Sequence, residues 1–167
     1  MQTNFMEELV AEWLEYQGYF VKRNERVGRR TAGGHEGELD VVAFNPKTRH
    51  LVHIETSTDA DSWAERERRF AKKFDSGRRH ITGLFDGLDV PDECERKAIF
   101  VIGSNSNHET VGGGQVVMAE SYILEIIREL KKTSFQSRAV PEKYPILRTL
   151  QMITEHRRKV VAELNQQ

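Results

Sequence analysis

Apolar positions in residues 4–18 recur at intervals of three and four, through Phe5, Met6, Leu9, Val10, Trp13 and Leu14, with Glu7, Glu8, Glu12 and Glu15 on the remaining faces. That period predicts an amphipathic helix. Asn4 stands where a cap is needed, Glu7 can complete a capping box, and Gly18 can close the helix. Tyr19–Val21 reads as a short strand, and Lys22–Gly34, with five basic residues and three glycines, as a mobile basic loop. Two β-prone runs, residues 38–44 and 50–56, flank the turn-forming Asn45-Pro46-Lys47-Thr48-Arg49 and predict a hairpin. Ser62 to Arg79 places Trp63, Phe70 and Phe74 on one helical face. The acidic stretch 86–95 is expected to be a connecting loop.

Residues 98–102 form a short continuous apolar run, the pattern of a central strand. A polar, glycine-rich loop follows over 104–114, then a last strand at Gln115–Met118 and a helix over 120–132. A final helix is expected from Tyr144 to Leu164, begun near Pro145 and carrying Leu147, Leu150, Ile153, Val160, Val161 and Leu164. This order predicts an α/β fold, a three-layer sandwich with a central mixed β-sheet flanked by helices and an extra C-terminal helix. We expect one domain over 1–167, with its core at about 4–132 and a helical extension at about 141–167.

Composition narrows the function classes. A chain of 167 residues that is 38% hydrophobic and 31% charged suits a single core. Lys and Arg number 25 against 26 Asp and Glu, so any polyanion must meet a local patch and not a uniformly basic surface. Cys94 is the single cysteine, which excludes an internal disulfide and a cysteine-based zinc site and predicts a reducing, cytoplasmic setting. No stretch approaches the roughly 20 apolar residues that span a bilayer, so neither secretion nor membrane insertion is expected.

The hairpin carries the candidate chemistry. If its turn is centred between Lys47 and Thr48, cross-strand partners have numbers summing to 95, so Asp40 faces Glu55 and Glu38 faces Ser57. By alternation Glu38, Asp40, Glu55 and Ser57 then share one face, with directly opposed Cβ atoms roughly 5 Å apart. Carboxylates at that spacing repel unless a proton or cation intervenes, and Mg2+ suits such oxygens. The alternative is that these acids decorate strand ends in solvent.

A helix bearing Glu7, then GELDVVAFNP, a turn and LVHIETS together resemble the PD-(D/E)XK, or restriction-endonuclease-like, nuclease superfamily, nearest its Holliday-junction resolvase and Mrr-like members. The resemblance covers roughly residues 5–80 by motif and extends to about 118 by order of elements. It implies a metal-dependent nuclease hydrolysing phosphodiester bonds of DNA, with Asp40 and Glu55 binding Mg2+ or Mn2+ and Glu7 as an auxiliary carboxylate. The chain departs from the pattern at Glu55-Thr56-Ser57, where Glu-x-Lys is expected. Either the site is degenerate and only binds or assembles, or a cation arrives from elsewhere. Lys72 and Lys73 on the following helix are the candidates. Lys73, three residues after Phe70, borders the apolar stripe, whereas Lys72 points outward.

For nucleic-acid contact the candidates are Arg26, Arg29 and Arg30 in the basic segment and Arg69, Lys72 and Lys73 on the helix. The expected partner is double-stranded or branched DNA. The apolar stripe of the C-terminal helix offers an alternative role in a homodimer. His53 falls on the Asp40 and Glu55 face by parity, but a hydrogen-bonded core histidine is the commoner fate. Gly112-Gly113-Gly114 lacks a phosphate-cradle motif, and Cys94 in its acidic loop lacks the setting of a reactive thiolate.

Overall fold

The computed structural model describes residues 4–104 and 107–166. Helix α1 spans Phe5–Tyr16, strands β1 Phe20–Arg29, β2 His35–Asn45 and β3 His50–Ser57, helix α2 Trp63–Leu84, and strands β4 Glu95–Phe100, β5 Thr110–Val111 and β6 Gly114–Met118. Helices α3 Ala119–Leu130, α4 Pro145–Glu155 and α5 Arg157–Leu164 follow. The six strands form one mixed sheet in the order β1-β2-β3-β4-β6-β5. β3 and β6 both run parallel to β4 and the remaining pairs are antiparallel. The α/β sandwich anticipated from the element order is the observed architecture. Among the described residues no helix is long and apolar enough to cross a membrane.

The chain divides into two compact units, Met1–Ala119 and Glu120–Gln167. This boundary falls inside the stretch that the sequence reading assigned to the core. In the first unit, α2 lays Ile81, with Phe85 just beyond its end, on Val42, Phe44 and Leu51, and lays Phe70 and Phe74 on Ala98, Phe100 and Val116. Helix α1 packs on β1, β2 and β3 from the other face, where alternation puts Val41, Ala43, Val52 and Ile54. In the second unit buried Gln151 on α4 accepts the Val140 N–H at 2.8 Å and donates to the Arg138 carbonyl at 2.9 Å, fixing the segment before α4.

Three local expectations need correction. The basic stretch after Val21 is not a mobile loop. It is most of β1, paired antiparallel with β2 from Phe20↔Phe44 to Arg29↔His35. Ladder hydrogen bonds to a distant partner override the weak β-propensity of Lys, Arg, Asn and Glu. The charges are balanced by neighbours, with Arg23 donating to Glu8 and Glu15 of α1, each at 2.6 Å. The C-terminal helix is broken at His156. There Thr154 Oγ1 donates back to the Gln151 carbonyl and Arg157 to the Thr154 carbonyl, local bonds that compete with the helical ladder. α5 buries none of its residues, and Val161 and Leu164 of the stripe are exposed. α2 continues five residues past the expected end at Arg79.

Candidate active site

The hairpin register is the one the turn arithmetic requires. Val41↔Ile54, Val42↔His53 and Asn45↔His50 each sum to 95. Asn45 sets the turn by accepting the Lys47 and Thr48 N–H groups on its Oδ1. Beyond Val41 and Ile54 side chains take over from the ladder. The Thr56 N–H donates to Asp40 Oδ2 at 2.9 Å, and the Asp40 N–H donates to Glu55 Oε1 at 3.2 Å. Each carboxylate thus has one oxygen pinned by backbone and one left over. The two remaining oxygens, Asp40 Oδ1 and Glu55 Oε2, converge on the Lys73 ammonium, which donates to Asp40 at 2.6 Å and also to Glu55.

Glu7 joins them from α1. Asn4 accepts the Met6 and Glu7 N–H groups and sends its amide to Glu7 Oε1 and to Thr56 Oγ1 at 3.0 Å, tying the start of α1 to β3. Glu7 Oε2 is buried with no hydrogen-bond partner. An open depression of about 190 Å³ is lined by Asn4, Glu7, Asp40, Ser57, Arg69 and Lys73, among others.

Ser57 is met by a cation from α2. Arg69 donates to Ser57 Oγ at 2.9 Å while pairing with Asp59 and Asp61 at 2.9 Å each. Two cations one helical turn apart therefore reach the hairpin, and Lys72 between them is exposed on the outer side of α2. The sequence pattern pointed to Lys73, but no local signal joined Arg69 to Ser57, twelve residues away.

Electrostatics divides the carboxylates. Glu55 is fully buried, which raises its pKa, but the hydrogen bond from His53 and the nearby Lys73 ammonium outweigh burial and hold it below the ordinary value. Burial and the negative Glu55 push Asp40 up to about 7 against the opposing pull of Lys73. Burial also raises Glu7. Burial disfavours the Lys73 charge, yet Glu55 and Asp40 raise its pKa, so it stays protonated. The group of four holds one acid favoured in its ionised form, one firm cation and two acids whose pKa values burial raises.

The expected trio of Glu38, Asp40 and Glu55 is corrected to Glu7, Asp40 and Glu55. Glu38 pairs with Arg26 across β1 and β2 at 3.6 Å. Counting fails because the pleat is interrupted opposite Asp40, where Asn24 has a φ of 51° and the β1–β2 ladder skips it. Leu39 consequently packs in one cluster with Val42 and Phe44. Arg26, Arg29 and Arg30 lie on or just after β1 and do not line the depression. Arg30 lies close enough to Glu36 to lower its pKa alongside His80 and Arg79. Arg66, one of the basic run, is buried, donating to the Asp59 and Ile102 carbonyls and standing over the rings of Trp63 and Phe100.

Asp40 and Glu55 are the residues that could hold a hard divalent cation. Two carboxylate oxygens released from the backbone already point at one cation, and a third, Glu7 Oε2, has no partner. Among the described residues no group of three or more His, Cys, Asp or Glu is placed to hold a metal ion. Mg2+ can bind through only one or two carboxylates, completing its shell with water and phosphate. No protein-family model matches the chain, and no curated protein matches it.

Proposed function

We propose that the protein is a metal-dependent DNA endonuclease whose site is formed by Asp40, Glu55, Glu7 and Lys73, with Arg69 beside Ser57 as the phosphate-facing cation. The observation that carries this reading is the convergence of Asp40 Oδ1 and Glu55 Oε2 on a single cation position, beside the unpartnered Glu7 Oε2. Structural ion pairs seldom leave a buried acid oxygen without a partner, because that costs about 1–3 kcal/mol. A site awaiting a substrate or ion accounts for the expense.

Asp40 and Glu55 would hold Mg2+ or Mn2+, and the ion would supply Lewis-acid polarisation and charge neutralisation at a phosphodiester. The chain's own residues divide the remaining work. Lys73, its ammonium displaced from Asp40 and Glu55 by the ion, would turn its freed N–H groups to a phosphoryl oxygen or the attacking water. Glu7, with its raised pKa, would take the proton of the attacking water as the new P–O bond forms, and the sugar oxygen, leaving with the electrons of the broken P–O bond, would take a proton from solvent water. Arg69 exchanges Asp59 and Asp61 for a phosphate, a bidentate partner of the same charge. Exposed Lys72 on α2 and exposed Arg26, Arg29 and Arg30 on and after β1 are further cations that DNA backbone could meet away from the depression.

The second reading is a nuclease-fold protein that binds DNA without turnover, and Ser57 in place of a lysine is the observation that favours it. Incubation of wild type and Asp40→Asn with supercoiled plasmid in Mg2+ or Mn2+ separates the two. Nicking lost in the variant supports the endonuclease, and salt-sensitive binding without nicking supports the second reading.

A further inference from the structure

Behind Glu55, on the side away from Lys73, stands His53. Its Nε2 lies 2.6 Å from Glu55 Oε1, and both side chains are completely shielded from solvent. The other ring nitrogen, Nδ1, is buried with no partner. A neutral imidazole has one N–H and one lone pair, and a charged carboxylate claims the N–H. The proton therefore sits on Nε2, and Nδ1 keeps a bare lone pair. The opposite tautomer would aim a lone pair at Glu55 and bury an N–H with no acceptor.

Packing fixes the ring in that pose. Phe74 of α2 meets it edge-on, at 5.0 Å between ring centroids and 81° between planes. Gly77, one turn along α2, has no side chain, and a Cβ there would lie 2.5 Å from His53 Nδ1 and 2.6 Å from Cε1. A glycine inside a helix costs roughly 1 kcal/mol relative to alanine, and here it is what admits the ring.

We propose that His53 is the positioning residue of Glu55: its Nε2–H, together with the Asp40 N–H, immobilises Oε1 so that only Oε2 is presented to the cation, and Gly77 is the space that permits it. This rests on the endonuclease reading, which assigns Glu55 as a metal ligand. Ligands held by such outer hydrogen bonds lose about 10–100-fold in metal affinity or activity when the bond is removed.

Three variants of the full chain test it. His53→Leu keeps apolar volume without a donor, His53→Gln places an amide N–H near the Nε2 position, and Gly77→Ala leaves every polar group but displaces the ring. The probe is Mn2+ alone, titrated calorimetrically into metal-free protein. We expect affinity to fall about 10–100-fold in His53→Leu, to fall in Gly77→Ala, and to return to within a few-fold of wild type in His53→Gln. The fall in kcat should follow the same order with KM for DNA unchanged. Equal Mn2+ affinity in His53→Leu and His53→Gln, both folded by circular dichroism, would overturn the assignment. A second readout needs neither metal nor turnover. The imidazole nitrogen NMR spectrum of metal-free wild type should show His53 as the Nε2–H tautomer with a hydrogen-bonded proton. An Nδ1–H tautomer there would refute the proposal even if the protein cleaves DNA. If wild type binds no Mn2+ but carries the Nε2–H tautomer bonded to Glu55, the endonuclease reading fails and the positioning of Glu55 stands.

Discussion

Replacing Lys73 by methionine keeps the length of the side chain and removes the charge that two buried acids share. Glu55 is completely buried and Asp40 nearly so, and Lys73 is the cation bonded to both. Removing one partner of a buried ion pair costs about 3–5 kcal/mol. The Lys73 side chain is 29% exposed, so water relieves part of the loss and the lower end, about 3 kcal/mol, applies. For a chain of this size each kcal/mol moves Tm by about 2–4 °C, which gives a fall of roughly 6–12 °C at pH 8 without metal. Without Lys73 the Asp40 pKa moves further above its unfolded value, and Glu55 loses one of the interactions that hold its own down. The stability Asp40 contributes is then complete at low pH and lost as pH rises through the raised value, so the deficit at pH 5 should be smaller than at pH 8. Divalent metal should rescue the variant more than wild type, since no ammonium has to be displaced, and a concentration about 100 times Kd restores about 2.7 kcal/mol. Differential scanning fluorimetry at the two pH values, with EDTA or Mn2+, measures all three effects. A Tm at pH 8 equal to wild type, or a deficit that Mn2+ leaves untouched, would refute the shared-cation account.

Three other outcomes follow from the same geometry. Asp40, pushed up to about 7 by burial and Glu55, favours its protonated form in the folded state, so its contribution to stability is complete below about pH 4 and lost as pH rises through 7. Without metal, Asp40→Asn should therefore gain on wild type across that interval, as thermal melts at stepped pH would reveal. Arg69→Ala should weaken DNA binding across sequences and lower the slope of log K against log salt by about 1, read by fluorescence anisotropy at several salt concentrations. The Cys94 thiol, pushed up to about 11 mainly by burial, should react with iodoacetamide at pH 8 far more slowly in the folded chain than in urea, as mass spectrometry of timed samples would quantify.

What the sequence disclosed follows the range of the forces involved. The Asn45 turn fixes a register locally, so Asp40 and Glu55 could be paired by counting. Asn4 caps α1 through contacts within three residues, which made Glu7 readable, and Lys73 follows from helical spacing after Phe70. The start of strand β1 was legible in Tyr19–Val21, but its continuation to Arg29 was hidden because its stability comes from β2 and from Glu8 and Glu15, not from its own residues. Glu38 was misplaced because a left-handed Asn24 on a neighbouring strand breaks the alternation that counting assumes. Parity put His53 on the correct face but could not show that its Nε2 meets Glu55, and Gly77 looks like an ordinary helical glycine until the ring stands against it. Arg66 and Arg69 belong to one basic run in sequence. One ends buried on backbone carbonyls and the other beside Ser57.

The most direct measurement of the central claim is cleavage of supercoiled plasmid and of a labelled branched DNA by wild type and Asp40→Asn purified in parallel, with Mg2+, Mn2+ or EDTA. The account predicts nicking by wild type that EDTA abolishes and that the variant lacks while melting as a folded protein. Cleavage that persists in EDTA, or an Asp40→Asn variant as active as wild type, would contradict it.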